Sequence, residues 1–113
     1  MSMFEEKVNE AIEAAKGLGV NVDADLLSKI AAGLGPSIYN ADAALVSSSD
    51  KEELDRVKEN FLKKKLGCTD EQAMDDAIQH AISIFGSGNR NKLRILFYYI
   101  CVDKLGKSSV YSD

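Results

Sequence analysis

Apolar positions along this chain recur mostly at three- and four-residue intervals, the period of a helix that buries one face. Phe4, Val8, Ala11, Ile12 and Ala15 form the first stripe, which Gly17 and Gly19 end. Ser2 and Glu5 before it have the spacing of a capping box. Asp23 is a good N-cap for a second stripe of Leu26, Leu27, Ile30 and Leu34, broken by Gly33, Gly35 and Pro36. Pro36 can itself open a short helix through Asn40. Asp42–Val46 is ambiguous: a short helical turn or an irregular loop, with Ala43–Val46 as a weak strand candidate. Ser49 with Glu52, or Asp50 with Glu53, opens the next helix, which turns Leu54, Val57, Phe61 and Leu62 inward and pairs Glu59 with Lys63 outward. Gly67 stops it. Thr69 with Gln72 then opens a helix carrying Ala73, Met74, Ala77, Ile78, Ala81 and Ile82, closed by Gly86 and Gly88.

The last segment, Asn89–Lys107, holds an unbroken apolar run from Ile95 to Val102. Such a run also suits a buried strand, and its flanks decide the matter. Leu93, Leu96, Phe97, Ile100 and Cys101 share one helical face, Asn89 or Asn91 can cap the start, and Gly106 sits where a left-handed residue ends a helix. The run is far shorter than the ~20 residues needed to span a bilayer. The pattern predicts an all-α fold: a compact orthogonal bundle of five long helices and one short helix around a buried C-terminal helix, in a single domain over residues 1–113.

Composition narrows the class. With 45% hydrophobic and 28% charged residues, the chain is expected to fold, and one proline with no tryptophan favours helices over a turn-rich sandwich. Met1–Glu6 leads into an acidic amphipathic stretch and not an apolar leader, so no secretory signal is expected. Two cysteines, Cys68 and Cys101, are too few for a disulfide scaffold, and reduced thiols in a cytoplasm are the expectation. The net charge of −4 is unevenly spread. Residues 1–55 carry 11 acidic and 4 basic side chains (net −7), while residues 56–113 carry 7 and 10 (net +3). This complementarity is expected to be used inside the chain or across a dimer, and the acidic total argues against a nucleic-acid coat.

The candidate chemistry centres on Arg90, Arg94 and Tyr98, spaced i, i+4, i+8 on one edge of the last helix, with Lys92 beside them. Cations in a first helical turn oppose the macrodipole by about 0.3–1 kcal/mol each, so something anionic should offset them. Two readings stay open. Asp42, Asp50 or another carboxylate of the acidic half docks on them, or a phosphate or carboxylate ligand is held by the arginine forks, helix N–H groups and the Tyr98 hydroxyl. Lys63, Lys64 and Lys65 form a basic patch, more simply read as solvated charge complementing a helix C-terminus. Glu71 with Asp75 and Asp76 with His80 have i, i+4 spacing, yet a metal site needs more ligands than one imidazole and its neighbours provide. A cysteine nucleophile would need an activating base, and the chain has one histidine. Gly86-Ser87-Gly88 is a lone glycine-rich signal and reads as a turn. No metal and no cofactor is expected.

Several segments together resemble a family: Asp42-Ala43-Ala44-Leu45-Val46; Ser49-Asp50 with Glu52-Glu53-Leu54; Asn60-Phe61 with Lys63-Lys64-Lys65-Leu66-Gly67; Arg90-Asn91-Lys92 with Arg94 and Phe97-Tyr98-Tyr99; and Lys104-Leu105-Gly106-Lys107. In order and spacing, from about Val22 to Val110, they are similar to the small bacterial domain-of-unknown-function family 2853. The N-terminal helix fits that pattern less well, and Pro36 departs from it. The resemblance implies an all-helical cytoplasmic domain and brings no activity or site residue with it. The functional expectation is a non-enzymatic module acting through a protein–protein surface, as a homodimer or with another partner. The alternative is an anion, phosphate-ligand or nucleic-acid-associated domain using Arg90, Lys92, Arg94 and Tyr98.

Overall fold

The computed structural model describes residues 2–112. Met1 and Asp113, which the single-domain expectation over residues 1–113 includes, lie outside them. Five α-helices follow one another: α1 (Met3–Leu18), α2 (Ala24–Leu34), α3 (Lys51–Arg56), α4 (Glu71–Phe85) and α5 (Arg94–Leu105). Short 3₁₀ turns at Gly35–Tyr39 and Ser108–Tyr111 follow α2 and α5, and α3 runs on as a π-helix through Val57–Lys63. The fold is all-α. Among the described residues there is no strand, only an isolated antiparallel bridge between Leu45 and Leu93.

The starts and stops follow local chemistry. Ser2 and Glu5 close the reciprocal capping box of α1, and Gly19 ends it at φ 74°. The Asp23 carboxylate accepts from the N–H groups of Asp25 and Leu26. Its own N–H donates to the Tyr99 hydroxyl at 2.8 Å, tying the start of α2 to α5. At α4 the cap is Asp70, which accepts from Ala73 N, and not Thr69. A carboxylate one residue along serves the same orphan donors, so the start moves by one.

The last helix buries residues Ile95–Val102 on every side and packs against α1, α2 and α4. Phe97, Leu96, Cys101 and Val102 are fully enclosed. Its start differs from the sequence expectation. Asn89 and Asn91 do not cap it: α5 begins at Arg94, and no side chain caps it. Residues 91–93 are instead drawn beside the Ala43–Val46 segment, with Val46 N donating to Lys92 O at 2.8 Å and Arg94 N to Ala44 O at 2.7 Å. The first orphan N–H of the helix is thus satisfied by a distant loop, and a side-chain cap is unnecessary. The Asp42–Val46 ambiguity resolves as a turn leading into this bridge.

The π-helical turn is the other departure. Helix period alone predicts a regular helix here, yet Val57–Lys63 is wound as a π-helix, with Val57, Phe61 and Leu62 buried. Phe61 stacks on Tyr98 with ring centroids 4.0 Å apart.

Candidate functional site

The four basic-end candidates divide. Arg94 lies in the first turn of α5 and is used up inside the chain. Its Nε donates to Ala43 O at 2.6 Å, its Nη2 to Leu45 O at 3.2 Å and its Nη1 to the Tyr98 hydroxyl at 3.0 Å. Nη2 also forms an ion pair with Glu53 Oε1. The cation facing the helix dipole is therefore offset by a protein carboxylate, which is Glu53 and neither Asp42 nor Asp50. Asp50 instead caps α3, accepting from Glu52 N and Glu53 N. Glu53 holds the capping-box position of that helix but turns away to Arg94 and Arg56. Burial works against the Arg94 charge, and the Tyr98 hydroxyl and Glu53 outweigh it, so its pKa stands above the ordinary value. For Tyr98 burial dominates and pushes the phenol up. Both groups keep their protons, and both are part of the frame.

Arg90 does not share the edge of α5, because the helix starts four residues later. It is exposed, and among the described residues no carboxylate lies within ion-pair distance of it. Lys92 is the surprise. It is only 2% exposed, the one buried charged side chain among the described residues. Its Nζ donates to the carbonyls of Asn89 and Ser87, the latter at 3.3 Å. An ammonium has three donors, so one N–H and the whole positive charge remain without a protein anion.

Arg90 and Lys92 open onto a common cleft of about 540 Å³. One wall is Leu45–Ser49, with the hydroxyls of Ser47, Ser48 and Ser49, and the other is Ser87–Arg90. Asp42 stands on the same rim, so two cations meet one carboxylate. The Asn89 side chain shapes the second loop by accepting from Asn91 N at 2.8 Å and donating to Phe85 O at 3.2 Å. The Leu45–Leu93 bridge holds the two walls together. Such a cleft can desolvate a carboxylate or phosphate between an arginine fork and a buried ammonium.

The other candidates disperse. Lys63 is paired with Glu59 at 2.8 Å and Glu71 at 3.3 Å, and Lys65 lies over the Tyr111 ring. Lys64 is solvated. Glu71 and Asp75 are both taken by Lys58, at 3.5 and 2.9 Å. Asp76 accepts from Gln72 at 2.8 Å, and among the described residues no three His, Cys, Asp or Glu side chains gather as a metal group. Both cysteines are free and buried. Burial pushes the Cys101 thiol up to about 12, which leaves almost no thiolate at neutral pH.

Sequence reasoning passed over Ser47–Ser49 as a ligand surface, because the run is fully explained as a helix start. It also passed over Glu53, because no periodicity links positions 53 and 94. A lysine just after the Gly88-Asn89-Arg90-Asn91 loop was the available hint to Lys92, since such loops expose carbonyls that can hold an ammonium.

No helix among the described residues is long and apolar enough to cross a membrane. None of the curated proteins compared with the chain matches it. The family described as "Protein of unknown function (DUF2853)" matches residues 9–109, reaching further into α1 than the motif resemblance does and taking in both walls of the cleft. By that match the chain belongs to this family.

Proposed function

We propose that the protein is a non-enzymatic helical module whose binding site is the cleft between Leu45–Ser49 and Ser87–Lys92, and that its ligand presents an anionic group. The observation that carries this is Lys92, a buried cation lining a solvent-open cleft with no carboxylate of its own. Burying an uncompensated charge is costly, and an incoming anion supplies the missing partner. Arg90 stands at the mouth as a free fork, and three serine hydroxyls complete the donor set. Phosphate and the acidic segment of a protein partner both present such a group, and the cleft recognises what the two share. A cytoplasmic setting belongs to the same proposal, supported by two free thiols.

A flat homodimer surface has less behind it. Among the described residues only Met3 (62%) and Tyr39 (42%) are large apolar side chains well exposed to solvent. Two side chains fall short of the several hundred Å² of contiguous apolar surface that marks a strong interface.

An amide-resolved NMR titration tests the proposal, with inorganic phosphate in one arm and a short Asp/Glu-rich peptide in the other. Saturable shifts at Ser47–Ser49 and Ser87–Lys92 are expected, and Arg90→Ala should weaken binding roughly tenfold, the loss of one charge-assisted hydrogen bond. Shifts that gather instead at Lys63–Lys65, or an unchanged affinity in Arg90→Ala, would refute it.

A further inference from the structure

A second concavity of about 330 Å³ opens between the end of α2, the π-helical turn and the C-terminal 3₁₀ turn. Its size lies at the lower end of the ~300–1,000 Å³ usual for ligand pockets. The stacked rings of Phe61 and Tyr98, inclined by 21°, form one wall. Gly33 also lines the concavity, and a β-carbon added there would meet nothing within 4 Å. Ile30 and Leu34 complete the apolar lining.

The mouth is polar and cationic. Lys65 Nζ lies 5.3 Å from the centroid of the Tyr111 ring. Unlike Lys58 and Lys63, it has no carboxylate within ion-pair distance among the described residues. The Asn60 amide, also on the rim, is free of hydrogen bonds to any described residue. Tyr111 is half-buried, and burial pushes its hydroxyl up to about 12, so it stays a neutral donor at physiological pH.

We propose that this concavity binds a small flat aromatic carboxylate, its ring seated between the Phe61–Tyr98 wall and Gly33 and its carboxylate on the Lys65 ammonium. Aromatic walls favour a planar ring by stacking, and an unpaired cation at the rim selects an acid over a neutral analogue. Phe61 and Asn60 lie on the π-helical turn, and Lys65 lies just beyond it. The site is separate from the Lys92 cleft, sharing no lining residue with it.

The test is an amide-resolved NMR titration of the full chain with 2-naphthoate, with 2-naphthylmethanol and acetate as controls lacking the charge and the ring. Saturable shifts are expected at Gly33, Asn60, Lys65 and Tyr111. Lys65→Met, an exposed change that spares the fold, should weaken 2-naphthoate roughly two- to fivefold, the range of a solvent-accessible ion pair. Gly33→Leu should fill the concavity and abolish binding while the melting temperature holds or rises, since leucine suits a helix better than glycine. The proposal is overturned if 2-naphthoate shifts the Ser47–Ser49 and Arg90 amides instead, if 2-naphthylmethanol binds as well as the acid, or if Lys65→Met leaves the affinity unchanged.

Discussion

At the scale of single residues, two cations four positions apart have opposite fates. Arg94 bonds two backbone carbonyls, a phenol and a carboxylate, and Arg90 bonds none of these among the described residues. The sequence gives both the same look, because helical spacing alone places them on one edge. What separates them is where the helix begins, and that is decided by the Ala44 carbonyl, a partner fifty residues away in the chain. Truncating Arg94 leaves Glu53 partly buried and unpaired, so Arg94→Ala is expected to cost about 3 kcal/mol in urea unfolding. Adding Glu53→Gln should recover part of that cost, since the stranded charge is then gone.

Cys101 gives a residue-scale prediction with a definite sign. Its folded pKa of about 12 lies above the ~8.5 of an unfolded thiol. The unfolded chain therefore releases the proton first, and stability present below pH ~8.5 is lost as pH rises toward 12. The urea midpoint should fall more steeply between pH 8 and 11 in the parent than in Cys101→Ala. Equal slopes would mean that the buried thiol carries no such linkage.

At the scale of elements, the buried last helix was the most legible feature of the chain. Its apolar run and Gly106 at φ 66° agree with the outcome, whereas the expected Asn89 or Asn91 cap does not form. The bundle of five helices was legible for the same reason, since local caps and periodicity point the same way as packing. Two features were hidden. The π-helical continuation of α3 has no sequence signature distinct from an α-helix, because Val57, Phe61 and Leu62 also satisfy an ordinary apolar stripe. The Leu45–Leu93 bridge was hidden because a one-residue pairing leaves no alternation to read. Phe97 reports on α5 as a packing element: Phe97→Ala should cost about 3–5 kcal/mol in urea unfolding, the usual loss for an enclosed ring. A melting temperature within a degree or two of the parent would contradict the central position of α5.

At the scale of the whole molecule, the opposite charges of the two halves are barely used inside the chain. Among the ion pairs of the described residues, only Arg94–Glu53 and Arg56–Glu53 join residues 1–55 to residues 56–113, and both converge on one carboxylate. The remaining pairs are local to one half. In the first half Glu13, Asp25 and Glu53 hold ion pairs and Glu5, Asp23 and Asp50 bond helix starts, while Arg90, Lys92 and Lys65 of the second half have no carboxylate within ion-pair distance among the described residues.

The central claim is that the basic start of α5 is split between framework and recognition, and one set of thermal melts addresses it. The parent, Arg90→Ala and Arg94→Ala are melted with and without pyrophosphate. Arg94→Ala should melt on the order of 10 °C below the parent. Arg90→Ala should melt with the parent yet show a smaller upward shift with pyrophosphate, as a roughly tenfold weaker site gives. An Arg94→Ala protein as stable as the parent, or an Arg90→Ala protein that keeps the full pyrophosphate shift, would contradict the account.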